Sequence, residues 1–316
     1  MVHGLKLIRN QFYIGQEPPK GKRKLINKGF QIKWENIVDL YKLAEKNKED
    51  TRNVRELRHL VLDAIELDNW KKMNVHYAKV VFLYDVICYQ LNLVRKEIQL
   101  PPCFFDQIMD EYKDKIGYKA ELLLEMVDLL KIEVFANGST FSKDIKNSMT
   151  QIEFSGHIHY MFIERLLNRY ANLTKKKETR IISKGVIHLN LNLEEEQARM
   201  VKSLSYFDDW YNWSKQQTTQ VWAVHKKHQL FISTVTYRNM KVAITGFFGY
   251  ADKLLTNKKS VYFVPMLHSN QSSIEAFFSY IQCNSKDNAR DIRKSLIAHN
   301  LRGESKMASK KRKLFK

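Results

Sequence analysis

The sequence predicts a mainly α protein with a small β component. Apolar residues recur at helical spacing over most of residues 32–230, while period-two alternation is confined to 180–192 and short β-leaning runs to 230–235 and 261–264. Composition agrees: 44% of the 316 residues are hydrophobic and 12% aromatic, enough to bury a core and to argue against disorder. That length accommodates two domains, or one domain with a large insertion.

Residues 16–24, QEPPKGKRK, read as a wet loop, since two prolines remove donors and the charges favour water. The loop is not a Walker phosphate loop. Five residues separate Gly15 from Gly21 where four are required, and Arg23 follows Lys22 where a magnesium-binding Ser or Thr should stand. Ile37, Leu40, Tyr41 and Ala44 predict one helical stripe, and Val54, Leu57, Val61, Leu62 and Ile65 a second. Residues 73–93 read as one long apolar helix burying Val80, Val81, Tyr84, Ile87, Cys88 and Leu91.

Pro101 and Pro102 separate that helix from another over 104–116, followed by one over 120–130. Asn137 and Gly138 mark a turn before an amphipathic helix over 154–173, which ends in the cationic run 174–178. The alternation over 180–192 predicts a strand or hairpin, 193–215 an aromatic-rich helix, and 230–235 a β-leaning run. Residues 236–255 form a helix that Gly246 and Gly249 should interrupt, and 261–264 lean towards β.

Lys and Arg number 53 against 34 Asp and Glu, a formal charge of +19 that favours a polyanionic partner, nucleic acid first. Lys6, Arg9, Lys20, Lys22, Arg23 and Lys24 make a dense basic patch suited to sequence-independent phosphate contact. Cys88, Cys103 and Cys283 suggest neither disulfides nor a zinc site. No run of eighteen apolar residues and no signal peptide is apparent, so the reading is a soluble intracellular protein without a membrane partner. Lys310 to Lys313, KKRK, lie in a basic tail that reads equally as a nuclear localisation signal or as a solvated end.

The pairs His157 and His159, and His225 and His228, lack the acids that would complete a metal site, so they read as satisfied or surface residues. No nucleophile elbow is present. Phe207, Trp210, Tyr211 and Trp213, with Arg199, Lys202 and Lys215 nearby, could stack nucleobases, but helix packing is the simpler use.

Residues 266–282, MLHSNQSSIEAFFSYIQ, predict a capped helix with Ser269 or Asn270 at its start. Ile274, Phe277, Phe278 and Ile281 form its apolar stripe, and Gln271, Glu275, Ser279 and Gln282 its polar side. On pattern alone Glu275 is a solvated helix residue.

Asn270, Gln271, Glu275, Phe277, Phe278 and Tyr280 resemble the C-terminal motif of P-element-type transposases, the group that includes THAP-domain transposases. His3, Leu5, Lys6, Arg9 and Asn10 resemble a second motif of that family. Ile32, Trp34, Ile37, Asp39, Leu40 and Tyr41, followed by Leu67, Trp70, Met73, Val75 and Ala78, resemble a third. The three occur in the family's order, while residues 101–230 resemble it only vaguely.

The resemblance implies a remnant of a ribonuclease-H-like domain over 1–14 and a mostly helical, GTP-binding-like insertion domain over 15–230. It also implies the C-terminal part of the ribonuclease-H-like α/β catalytic domain over 231–300, with a basic flexible tail over 301–316. In such enzymes three carboxylates hold two Mg²⁺ ions that drive phosphodiester cleavage and strand transfer. Glu275 matches the last of the three, as catalytic and metal-ligating residue. The two preceding aspartates have no match, so the chain is expected to be a truncated reading frame that is inactive alone. Ser272 stands where the family has an aspartate near nucleotide and metal, which puts the GTP cofactor in doubt. Transposon-end DNA, self-association and a nuclear location are implied alongside. The alternative is a non-catalytic nuclear DNA-binding or regulatory protein derived from such an element.

Overall fold

The computed structural model describes residues 2–14, 23–51, 57–100, 119–136, 140–167, 186–188, 193–217, 229–257 and 263–265. Two compact units divide the chain, Met1–Ser269 and Asn270–Lys316, and every described residue lies in the first. Most described residues are helical, as the periodicity predicts.

Helix α1 (Val2–Ile14) turns Leu5, Ile8 and Phe12 fully into the core. A two-residue hairpin follows, β1 (Ile26–Asn27) and β2 (Phe30–Gln31), paired antiparallel with Asn27 opposite Phe30. Its turn, Lys28 and Gly29, has φ of 49° and 89°. Two successive positive φ values suit the right-handed twist of a hairpin and favour Gly at the second position. Lys24 and Ile26 extend the pairing by donating their N–H groups to the carbonyls of Gln229 and Leu230, each at 2.9 Å. The expected β-leaning run at 230–235 is therefore an irregular segment that lends carbonyls to the hairpin, and it enters a helix at Thr234.

Helix α2 (Glu35–Thr51) buries Ile37, Leu40 and Ala44 as predicted. The second expected stripe is corrected: only α3 (Leu62–Ile65) is helical there among the described residues, and Leu62 is exposed. The single long helix expected from residue 73 is also corrected. It is α4 (Asn69–Met73), α5 (Val75–Val81) and α6 (Tyr84–Glu97). Asp68 and Asn74 cap α4 and α5 by accepting from the N–H of Lys71 and His76. Val80, Val81, Ile87, Cys88 and Leu91 are buried as expected, and Tyr84 is half-buried.

Helix α7 (Lys119–Ala136) outruns its expected end, and α8 (Lys143–Ile158) begins eleven residues earlier than the predicted 154. Ser142 caps α8 by accepting from the Ile145 N–H, and the helix continues as a π-helix over His159–Leu167. From Met149 to Ile163 every residue is buried, so this segment is central rather than amphipathic. One core cluster joins α6, α7 and α8 through Ile87, Leu91, Met126, Leu130, Met149 and Ile152. The other gathers α1, α2, α5 and the π-helix with α9 (Leu193–Gln216) and α10 (Thr234–Asn257).

Helix α10 runs unbroken through Gly246 and Gly249, contrary to expectation. Strand β3 (Val186–His188) pairs antiparallel with β4 (Phe263–Pro265), so both β-leaning runs are strands, joined to each other. The α/β part expected over residues 231–300 is described only for α10 and β4. No helix among the described residues is long and apolar enough to cross a membrane.

Candidate functional site

The polar groups forced inside by the central helix decide where chemistry can happen. Gln151 donates to Ser155 Oγ and accepts from Gln90, and Thr150 donates to the Lys146 carbonyl. The Gln90–Gln151–Ser155 bonds satisfy one side of α8. On the other, Thr150, Glu153 and His157 open onto a cavity of about 450 Å³. The hairpin contributes Asn27, Lys28 and Phe30 to it, α7 contributes Asp128, Lys131 and Phe135, and α9 contributes Lys202, Tyr206 and Asp209.

Each side chain has a local reason for its place. The tight turn at Gly29 projects Lys28 to solvent beside the cavity. The hairpin is tied down by Trp210, whose indole N–H donates to the Ile26 carbonyl at 2.6 Å, and by Asn147, which accepts from the Gln31 N–H at 2.8 Å. Asn27 is 4% exposed; its amide N–H donates to the Tyr206 hydroxyl at 3.3 Å, while its carbonyl oxygen is buried without a hydrogen-bond partner. The Tyr206 ring in turn stacks on His157.

Lys131 Nζ pairs with Glu153 Oε1, and Lys202 Nζ lies 3.9 Å from Asp128 Oδ2. Glu153 is 6% exposed, and burial raises its carboxyl pKa despite Lys131, which acts the other way. Burial lowers the His157 pKa to about 3, with smaller contributions from Lys131 and Lys202, so the imidazole is neutral near pH 7. Its Nδ1 meets Ser203 Oγ at 3.3 Å. Burial also holds the Tyr206 phenol protonated, well above the usual range.

Lys28, Lys131 and Lys202 around an aromatic-walled pocket can meet the phosphates of a nucleotide, in competition with Asp128, Glu153 and Asp209, which line the same cavity. A second cavity, about 550 Å³, is lined by two lysines, Lys42 and Lys71, against three in the first, and Lys71 lies 2.8 Å from Asp63.

Among the described residues, the sequence-predicted basic patch is not one surface. Arg9 is fully buried on α1, and its guanidinium donates to the carbonyls of Lys71 and Lys72 at 3.1 and 2.9 Å, capping the end of α4. Burial lowers its pKa to about 10. Lys6 is 7% exposed. Neither is presented for phosphate contact, because α1 is a core helix rather than a surface arm. Arg23 is half-buried and donates to the Phe231 carbonyl at 2.9 Å, and Lys24 is half-buried beside it. Lys20, Lys22, Ser272 and Glu275 lie outside the described residues. His159 meets the Phe82 carbonyl at 2.7 Å, and Phe207 and Trp210 are fully buried, in keeping with packing roles. No group of three or more His, Cys, Asp or Glu that could hold a metal occurs among the described residues.

Pattern reading missed the site itself. Lys28, Lys131, Glu153 and Lys202 are single charges spread along the chain, and the local signals were Lys28 beside a glycine and Lys202 near the aromatic stretch.

No sequence family and no curated protein matches the chain. A solved structure of the Drosophila P element transposase strand transfer complex is similar at 11% identity and a TM-score of 0.45, over 92% of this chain. The chain spans 46% of that protein's length.

Proposed function

We propose that this chain is a nuclear protein of P-element-transposase type, with a helical body that binds a guanine nucleotide and a DNA partner. In this reading the triphosphate lies against Lys28, Lys131 and Lys202 and the base packs on the aromatic wall of Phe30, Phe135 and Tyr206. The observation that carries it is the cavity between the hairpin, α7, α8 and α9, lined by three lysines and an aromatic wall. The C-terminal motif with Glu275 and the formal charge of +19 add support.

In this reading Glu275 would be the last of the carboxylates to hold Mg²⁺, which when bound would supply charge to activate water or a 3′-hydroxyl. Two-metal cleavage needs carboxylates besides Glu275, and none of the three motif matches supplies one, so in this reading the chain binds DNA without cutting it. Filter binding with labelled GTP, ATP and pyrophosphate tests the nucleotide, and DNA incubated with Mg²⁺ tests the chemistry. GTP retention with intact DNA is expected. Failure to retain any of the three, or cleavage by the purified chain, contradicts the reading.

A further inference from the structure

The Lys131–Glu153 pair poses a difficulty for any anionic ligand in this cavity, because the lysine nearest the floor already has an anion. We infer that Glu153 is a resident stand-in for the ligand's anion, so that a ligand phosphate binds by taking Lys131 from Glu153, which then takes up a proton. This rests on the nucleotide reading of the cavity and adds its regulation.

The argument is one of charge balance. Glu153 is 6% exposed, and Lys131 is the cation in direct contact with it. From α7 it faces Lys131 and, at longer range, the like charge of Asp128; from the hairpin, Lys28. From its own helix it faces His157, a neutral ring at neutral pH, and from α9 the cavity presents Tyr206, Lys202 and Asp209. Lys202 lies nearest Asp128.

If a phosphate takes Lys131, the Glu153 carboxylate becomes a buried charge without a contacting cation, close to both Asp128 and the incoming anion. Burial and both like charges then favour the acid form. The proton comes from solvent on binding and returns on release. Burial has already raised the carboxyl above the ordinary carboxylate value while Lys131 holds it down. Losing Lys131 raises it further, and affinity falls as pH rises between those two positions.

Calorimetric titration of the full chain with GTP, in two buffers of different ionisation enthalpy and over a pH series, reads this directly. The expected result is a heat that differs between buffers by the uptake of up to about one proton, and affinity that weakens by up to about tenfold per pH unit within the window. Glu153→Gln, close to isosteric, should abolish the buffer difference and tighten binding. Equal heats in both buffers across the series, or weaker binding by a folded Glu153→Gln, overturn the inference and leave the nucleotide reading standing. No binding at any pH overturns both.

Discussion

The imidazole of His157 stacks on the ring of Tyr206 with centroids 4.2 Å apart and planes 21° from parallel. The stack fixes the phenol that takes up the Asn27 amide N–H, so a neutral histidine on the central helix orients the hairpin side of the cavity.

That neutrality has a pH signature. The folded state holds His157 at about 3 against an ordinary 6.5, so below pH 6.5 the unfolded chain binds the extra proton. Stability should therefore fall as pH drops from 6.5 towards 3, with His157 contributing a slope of up to about 1.4 kcal/mol per pH unit. His157→Phe retains a stacking ring and removes the contribution. Urea midpoints across this range should show a shallower pH slope for the variant; identical slopes would place the imidazole in water.

Lys131→Met leaves Glu153 buried without its cation, so the carboxyl stays as an unpaired charge or takes up a proton at a cost. Because about a third of the Lys131 side chain is still in water, the expected loss at neutral pH is about 2 kcal/mol, below that of a fully buried pair. Adding Glu153→Gln should restore most of it. A double-mutant cycle by chemical denaturation checks the coupling, and additive losses would deny it.

Gly156 is where α8 approaches α7. A Cβ there would lie 3.3 Å from Leu124 Cδ2 and 3.7 Å from Val127 Cγ2. Gly156→Ala asks a flexible side-chain end to give by tenths of an ångström and gains helix propensity, so its effect should be within about 1 kcal/mol. Gly156→Leu overpacks the contact and should cost about 2 kcal/mol or more, read as a lowered denaturation midpoint.

The early part of the fold could be read locally. Ile37, Leu40 and Ala44 repeat at helical spacing, and their burial follows. The split between α5 and α6 could not, because no Pro or Gly marks Phe82 and Leu83. The Phe82 carbonyl freed by the break is met by His159 Nδ1 from the π-helix, a partner 77 residues away. The first turns of α8 were missed for a related reason. Asn147, Thr150, Gln151 and Glu153 look like a solvated stretch, yet each is buried with a polar partner on this or another segment. The cavity inherits this: its charges become a site only once four separate elements are packed.

Arg9 separates a structural cation from a phosphate-binding one. Arg9→Ala should destabilise the chain by about 2–3 kcal/mol, since it removes a buried guanidinium and leaves two α4 carbonyls without their donor. The salt dependence of DNA binding by the folded variant should be unchanged, because no counterion-releasing contact is lost. A reduced slope of log affinity against log salt would put Arg9 on the DNA surface.

The central claim is that the cavity beneath the hairpin binds a nucleotide through its lysines. Calorimetric titration of GTP into the wild-type chain and into Lys131→Met/Lys202→Met, each verified as folded by circular dichroism, tests it most directly. A single saturable site in the wild type, with its heat lost in the double variant, is the expected result. No heat in the wild type, or an undiminished isotherm in the double variant, would contradict it.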